Sequence, residues 1–328
     1  MTVENALAGL AEQGWVAEAE ADEAVSRRVG RPARRFRFRA EAGCMLGFDI
    51  GLHKVLAIVA DLRGQVLGTR RTAVTPALPA EERLAAARRL GHCTLRSAGL
   101  TAQDVRGVGV GTTGVVAADG TVTRSDLLPD WTGTDLVTAF TEPFDAPVMA
   151  GNDARLAALA EHWRGAAAGT EDVLYIHVGR RISSGLLIGG KVHTGRHGAA
   201  GELGVLPSSR WDTAPGRLLA HWADPQTLFA AAGAGEAKAL AALEDFADDL
   251  AQGVAAMTLT LDPELVAVGG GLSRAGRLIT DPLSRRLAEL CLFPVPVAAS
   301  QLGDEAVALG GIRLALNAVE RELFDVNG

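Results

Sequence analysis

The sequence of 328 residues has few cysteines and no long apolar run. Its three cysteines, Cys44, Cys93 and Cys291, are far apart and show no CxxC spacing. This argues against a disulfide framework or a cysteine-rich zinc site and fits a reducing cytoplasm. No window contains the roughly 18 apolar residues of a membrane span, and the N-terminus lacks the basic start and apolar run of a signal peptide. We expect a cytoplasmic protein that is not bound to a membrane.

Aromatic residues make up only 5% of the chain, and the formal net charge is −7. The hydrophobic fraction of 48% nevertheless predicts a packed core, and the length predicts two lobes. An evenly spread negative charge would argue against nucleic-acid binding. The charge is uneven, however, because seven arginines lie between residues 27 and 39. The sequence therefore predicts a basic strip on an acidic body.

The basic strip belongs to residues 1–40, whose pattern predicts a partial winged helix. A helix is predicted over residues 2–14, and the alternation of Arg35, Arg37 and Arg39 with two phenylalanines predicts a strand with one cationic face. The residues predicted to contact DNA are Thr2, Asn5, Arg27, Arg28, Arg31, Arg34 and Arg35. Because two helices normally precede a recognition helix, we expect this head to be N-terminally incomplete. A start codon further upstream, a loss of DNA binding and another way of bracing the helix are the open explanations.

The rest of the chain predicts two α/β lobes, over residues 41–150 and 151–304, with the C-terminal helix 305–328 completing the first. Six ordered motifs read GFDIGLHKVLAIVADLRGQVL, GVGVGTTGVV, VMAGNDARLAALAE, HTGRHGAAGELG, DPELVAVGGGLS and ALGGIRLAL. In this order and spacing the chain resembles the ROK family of repressors, open reading frames and sugar kinases. The resemblance implies a bilobal actin-like, hexokinase-like fold of the ribonuclease H-like type. It also implies a sugar-responsive repressor where a winged helix precedes the body, and a sugar kinase where none does.

Three residues match the sugar-binding positions of the family: Asn152, Asp153 and Glu202. In the kinases, the aspartate that matches Asp153 is the general base that accepts the proton of the attacking sugar hydroxyl. Asn-Asp before a helix is also a good N-cap, so a purely structural role is the alternative. The asparagine of a second family sugar contact is replaced by Leu127.

The resemblance also marks nucleotide-binding positions, which we expect to be vestigial: Asp49, Gly51, Thr112, Gly269, Gly270 and Gly271. The threonine that would face phosphate is replaced by His53, and Arg180 and Arg181 stand where the family has a flexible glycine run. The family zinc loop is degenerate too. The positions of its histidine, three cysteines and closing glutamate hold Val205, Arg210, Asp212, Arg217 and Leu219.

Together these features predict a ROK transcriptional regulator that responds to a sugar or sugar-derived ligand, binds operator DNA and forms a homodimer or a dimer of dimers. We expect no metal, no zinc and no other cofactor, with Mg-ATP only if the chain is a kinase. An ATP-dependent, glucokinase-like sugar kinase is the main alternative, and a DNA-independent sugar sensor is the second. The arginines at positions 180, 181, 210 and 217 suggest that the effector is phosphorylated or acidic.

Overall fold

The computed structural model describes residues 3–19 and 34–324. Its N-terminal segment consists of helix α1 (Val3–Glu12) and the antiparallel strands β1 (Val16–Glu18) and β2 (Phe36–Phe38). Gly14 adopts a φ of +80°, which ends the helix and turns the chain into β1. Four predicted DNA contacts, Thr2, Arg27, Arg28 and Arg31, lie outside the described residues. The assignment of this segment as a winged helix stays a prediction.

The first large sheet is built from residues 44–152. Its elements in chain order are β3 (Cys44–Ile50), β4 (Lys54–Asp61), β5 (Val66–Ala73), α2 (Ala80–Ser97), β6 (Val105–Thr112), the small hairpin β7 (Val115–Val116) and β8 (Val122–Arg124), α3 (Leu136–Phe144) and β9 (Val148–Asn152). The strand order is β5-β4-β3-β6-β9. The first three strands form an antiparallel meander, whereas β6 and β9 run parallel to β3.

The second large sheet repeats this order as β12-β11-β10-β13-β14. Its elements and their flanking helices are α4 (Asp153–Arg164), β10 (Val173–Val178), β11 (Ile182–Ile188), β12 (Lys191–Val192), α5 (Ala214–Leu219), α6 (Pro225–Gly233), α7 (Ala237–Leu261), β13 (Leu265–Gly269), α8 (Arg277–Leu290), β14 (Val297–Ala299) and α9 (Ala306–Phe324). Again a meander is followed by two parallel strands. The two lobes are therefore variations of one topology.

The sheets form because their central strands are continuous apolar runs that are covered on both faces. Every residue of β3 and of β13 is buried. The edge strand β5 is polar and mostly exposed, which is how sheets avoid pairing with other chains. Within the described ranges, no helix is both long and apolar enough to cross a membrane.

Two helices join the sheets into one body. Helix α9 lies on the first sheet, and α4 packs against α9 on one side and against β10 and β11 on the other. The contact is close enough to require glycine, since a Cβ atom on Gly310 would lie 1.8 Å from the backbone oxygen of Leu156. A side chain on Gly109 of β6 would likewise collide with the backbone of Gly311.

The N-terminal segment is attached to the same body. Trp15 and Phe38 pack against the apolar cluster that α9 forms with β3 and β4. The guanidinium of Arg39 donates to the backbone oxygen of Gly14, and the backbone N–H of Leu62 donates to Ala40. Packing on the body therefore holds the β1–β2 pair, and α1 is joined to that pair through the turn at Gly14.

We predict that Gly310→Ala lowers the free energy of unfolding by about 3 kcal/mol, because the added methyl group forces α4 and α9 apart. Chemical denaturation measures this change. The control is Gly216→Ala in α5, where a Cβ atom has no neighbour within 4 Å. Gly216→Ala should be neutral or slightly stabilising, and equal losses in both variants would contradict the packing argument.

Candidate functional site

The candidate site is a cleft of about 960 Å³ between the two lobes. It lies at the carboxyl ends of the parallel strands, where open α/β sheets commonly bind ligands. The predicted site residues that line it are Asp49, Gly51, Asn152, Asp153, Glu202, Gly270 and Gly271. Residues from both lobes thus meet in one cavity, although they are up to 222 positions apart in the chain.

Two predicted nucleotide-binding residues, Thr112 and Gly269, are not among the residues that line the cleft. Thr112 is fully buried; its hydroxyl donates to the backbone oxygen of Ile50 at 3.0 Å and accepts from the indole N–H of Trp131 at 3.0 Å. Gly269 lies at the buried end of β13 against Tyr175. Both residues have a packing role in this structure.

Asn152 and Asp153 form the junction of β9 and α4. Asn152 is the N-cap of α4, because its side-chain oxygen accepts from the N–H of Arg155 at 3.3 Å, and its amide group donates to Gly114 at 3.0 Å. The capping alternative is therefore realised at Asn152. Asp153 has a carboxylate in the cleft, one oxygen of which accepts from the N–H of Ala154 at 2.7 Å. Burial raises the pKa of Asp153 to about 6, the range in which a carboxyl can exchange a proton near neutral pH.

Glu202 approaches Asp153 from the turn that follows β12. The turn is fixed by the buried Arg155, whose guanidinium donates to the backbone oxygens of Gly198 at 2.5 Å and Ala200 at 3.2 Å. Burial raises the pKa of Glu202, while the charge of Arg155 lowers it. The two carboxyl groups and the amide of Asn152 can together accept and donate hydrogen bonds to the hydroxyl groups of a polyol.

The opposite end of the cleft, where the family holds nucleotide phosphates, contains ion pairs. The ammonium of Lys54 lies 3.4 Å from a carboxylate oxygen of Asp49 and 3.7 Å from one of Asp304. Arg274 adds a second cation to Asp304 at 2.6 Å. Burial raises the pKa of Asp49 to about 6, whereas Lys54 lowers it. The carboxylate expected to position magnesium thus already has an internal cation beside it.

His177 of β10 also lines this end of the cleft. Its Nδ1 atom is buried and has no hydrogen-bond partner among the described residues. Burial lowers the pKa of His177, and the charge of Asp49 opposes that shift. His53 and the ion pairs of Lys54 lie at the same end of the cleft.

The degenerate zinc loop is held by an ion-pair cluster. Arg210 lies 3.2 Å from one carboxylate oxygen of Asp249, and Arg217 contacts the other. Trp211, which follows Arg210 in the chain, is fully buried. Its indole N–H donates to the backbone oxygen of Leu250 at 3.3 Å. No cluster of three metal-ligating side chains occurs in residues 3–19 and 34–324. The residues of this loop do not fit zinc, and neither arginine lines the cleft.

The remaining predicted DNA contacts lie at the surface of the N-terminal segment. Asn5 on α1, Arg34 and Arg35 are exposed. Arg34 forms an ion pair with Glu18 at 3.6 Å. Exposed pairs of this length are weak and can be exchanged for contacts with phosphate.

Three charged residues that line the cleft were missed by the sequence reasoning: Lys54, Arg124 and Asp304. It also missed Arg155, which fixes the turn before Glu202. Arg155 had a usable signal, because it lies two positions after Asp153 in the same turn of a helix. Lys54 and Asp304 had none, because their contact joins residues 250 positions apart.

Two lobes of this repeated topology around a polar cleft define a protein of the actin-like, hexokinase-like ATPase fold. The chain belongs to the ROK family, whose family model matches residues 45–216 and 218–318. This confirms both the fold class and the family that the sequence motifs predicted.

Curated relatives include kinases and repressors. The bifunctional enzyme NanE/NanK of Brucella melitensis is 32% identical over 83% of this chain, which spans only about half of that enzyme, 54% of its length. The putative xylose repressor of Caldicellulosiruptor sp. is 24% identical over 96% of this chain and 88% of its own.

The solved structures that resemble this chain also include both kinases and transcriptional regulators. A ROK glucokinase of Streptomyces griseus, solved with glucose and AMPPNP, superimposes with a TM-score of 0.72 and 28% identity over 84% of this chain and all of its own. A ROK transcriptional regulator described as a homologue of the E. coli MLC protein gives a TM-score of 0.79 at 20% identity, over 97% of this chain and 88% of its own. At 20% identity, the similarity to the regulator structure concerns the fold alone.

We predict that Asp153→Asn stabilises the ligand-free protein by about 2 kcal/mol at about pH 8 and has little effect near pH 4. The folded-state pKa of about 6 lies above the ordinary aspartate value of 3.8, so the ionised carboxylate costs stability as the pH rises through 6. Thermal unfolding across this pH range measures the effect. Asp119→Asn is the control, because exposed Asp119 also accepts a backbone N–H, from Thr121 at 2.9 Å. A pH-independent change in the Asp153 variant would refute the assignment.

We predict that Asp249→Ala destabilises the protein by about 1 to 2 kcal/mol, because Arg210 and Arg217 lose their shared partner. EDTA should leave the melting temperature unchanged. The neighbouring Asp248→Ala, which breaks an exposed pair with Arg286, is the control and should cost less than about 0.5 kcal/mol. A melting temperature that falls with chelator, together with bound zinc in the purified protein, would overturn this account.

Proposed function

We propose that this chain is a ROK transcriptional regulator that binds DNA through its N-terminal segment and a sugar or sugar-derived effector in the cleft, without catalysis. The observation that carries the proposal is the coverage of the relatives. The xylose repressor and the regulator structure align with 96% and 97% of the chain, whereas the glucokinase structure aligns with 84%. The difference in coverage corresponds to about the number of residues that precede residue 45, where the family match begins.

The phosphate end of the cleft supports a non-catalytic role. Phosphoryl transfer depends on a metal ion and on backbone amides that cradle the phosphates. Here Lys54 lies beside Asp49, and Arg180 and Arg181 replace the flexible run. The sugar end, in contrast, retains Asn152, Asp153 and Glu202. A cleft that keeps three predicted sugar-binding residues while its phosphate end is altered suits binding without turnover.

A continuous set of contacts joins the effector site to the N-terminal segment. Asp153 is the first residue of α4, α4 packs on α9, and the cluster around α9 holds Trp15 and Phe38. Closure of the cleft around a sugar would move the two lobes relative to each other and change the orientation of the N-terminal segment. In a homodimer, two such segments would change their spacing and hence their fit to an operator.

We expect the chain to select specific duplexes from a randomised DNA pool, and the selected affinity to fall steeply with salt. The double variant Arg34→Ala/Arg35→Ala should weaken binding at least about tenfold, because it removes two phosphate contacts. Arg277→Ala, an exposed arginine on α8, is the matched control and should have no effect. Fluorescence anisotropy gives the affinities, and addition of the effector should change them.

The alternatives give different outcomes. Release of ADP that requires a sugar and disappears in Asp153→Asn would establish the kinase. Sugar binding with neither selected DNA nor ADP release would establish the DNA-independent sensor. Either result rejects the regulator.

A further inference from the structure

Three arginines line the mouth of the cleft, and two of them share one carboxylate. Arg124 Nε lies 3.3 Å from one oxygen of Asp126, and Arg181 Nη1 lies 3.3 Å from the other. Arg180 lines the same cleft and has no ion-pair partner among the described residues. These four side chains, which we call the arginine rim, carry three positive charges against one negative charge. The arginine rim is therefore the part of the cleft where positive charge is in excess.

The other charges of the cleft are negative on balance, because Asp212 adds a carboxylate to those of the phosphate end and the sugar end. Lys54 and Arg274 offset Asp49 and Asp304 at the phosphate end. Arg155 partly offsets the two carboxylates of the sugar end. Arg210 and Arg217, which the sequence also marked as anion ligands, are bound to Asp249 outside the cleft, so they do not add to the arginine rim. This corrects the earlier four-arginine hypothesis and replaces two of its members with Arg124.

The arginine rim lies next to the sugar end. The charges of Arg124 and Asp126 act on the carboxyl group of Glu202, so these groups are close in space. The rim also joins the lobes: Arg124 ends β8 of the first lobe, and Arg181 lies in the β10–β11 turn of the second. A ligand that contacts Glu202 with its hydroxyl groups can therefore present a second group to arginines from both lobes.

We propose that the effector is an anionic sugar, whose hydroxyl groups bind Asn152, Asp153 and Glu202 and whose phosphate or carboxylate group binds the arginine rim. This inference rests on the proposed effector role of the cleft and names the chemical class of the ligand. Guanidinium groups bind such oxyanions through paired N–H donors, with geometry that an ammonium lacks. Asp126 holds Arg124 and Arg181 in place and competes with the ligand for them.

Isothermal titration calorimetry of the full chain without DNA tests the proposal at constant ionic strength. The probes are glucose, glucose 6-phosphate, glucuronate and inorganic phosphate at millimolar concentration. Glucose 6-phosphate or glucuronate should bind at least about tenfold more tightly than glucose. The preferred member of the pair identifies phosphate or carboxylate as the anionic group, and inorganic phosphate probes the rim independently of the sugar skeleton.

Substitutions in the arginine rim should change the affinity for the anion in opposite directions. Arg180→Ala and Arg181→Ala should each weaken anion binding about tenfold, whereas Asp126→Asn should strengthen it, because the competing carboxylate loses its charge. Arg63→Ala, in an exposed turn outside the cleft, removes the same charge and should have no effect. The calorimetric measurement uses no DNA, so it still tests the arginine rim if the chain does not bind an operator.

The proposal is overturned if inorganic phosphate binds neither the wild-type protein nor Asp126→Asn, or if glucose binds as tightly as its anionic counterparts. Equal losses in Arg181→Ala and Arg63→Ala would also overturn it, because they would reduce the effect to net charge. If the anionic sugar binds as expected but leaves operator affinity unchanged, the regulator proposal fails while the arginine rim stands.

Discussion

The close packing of α4 against α9 is the contact on which the rest of the structure depends. Gly310 lets the two helices approach, and α9 in turn lies against the first sheet. At the N-terminus of α4 are Asn152 and Asp153. Near its C-terminus the fully buried Glu161 accepts hydrogen bonds from the Ser300 hydroxyl and from the backbone N–H of Leu302, just before α9 begins. One helix thus carries the ligand residues at one end and fixes the connection between the lobes at the other.

Internal ion pairs satisfy two carboxylates of this scaffold. Lys54 lies beside Asp49 in the cleft, and two arginines meet Asp249 beside the loop of residues 205–219. A buried or half-buried carboxylate left without a partner is costly, so these cations stabilise the fold from within the chain.

Much of the fold was predictable because its signals are local. Apolar runs that end in glycine turns marked the central strands, and the predicted C-terminal helix over residues 305–328 contains α9. The residues that follow buried strands, such as Asp153, were predictable site residues for the same reason. The direction of the Thr112 side chain was not predictable, because position at a strand end does not tell which way a side chain points, and Trp131 holds it inward. The arginine rim was only partly predictable, because the pairing of Arg181 with Asp126 joins two lobes.

Arg124 and Arg181 place positive charge on both sides of the cleft. The charge of the ligand can therefore affect how far the two lobes close. A neutral sugar bound at Asn152 and Glu202 contacts the lobes through hydroxyl groups, each of which exchanges a hydrogen bond with water for one with protein and gains little. An anionic group between Arg124 and Arg181 adds charge-assisted bonds that form fully only when the lobes are close, so it favours the closed state specifically. Because a ligand shifts an equilibrium only by its differential affinity for the two states, the proposed anionic group is the part of the effector that would drive closure. The rigid α4–α9 contact would then carry that movement to Trp15 and Phe38.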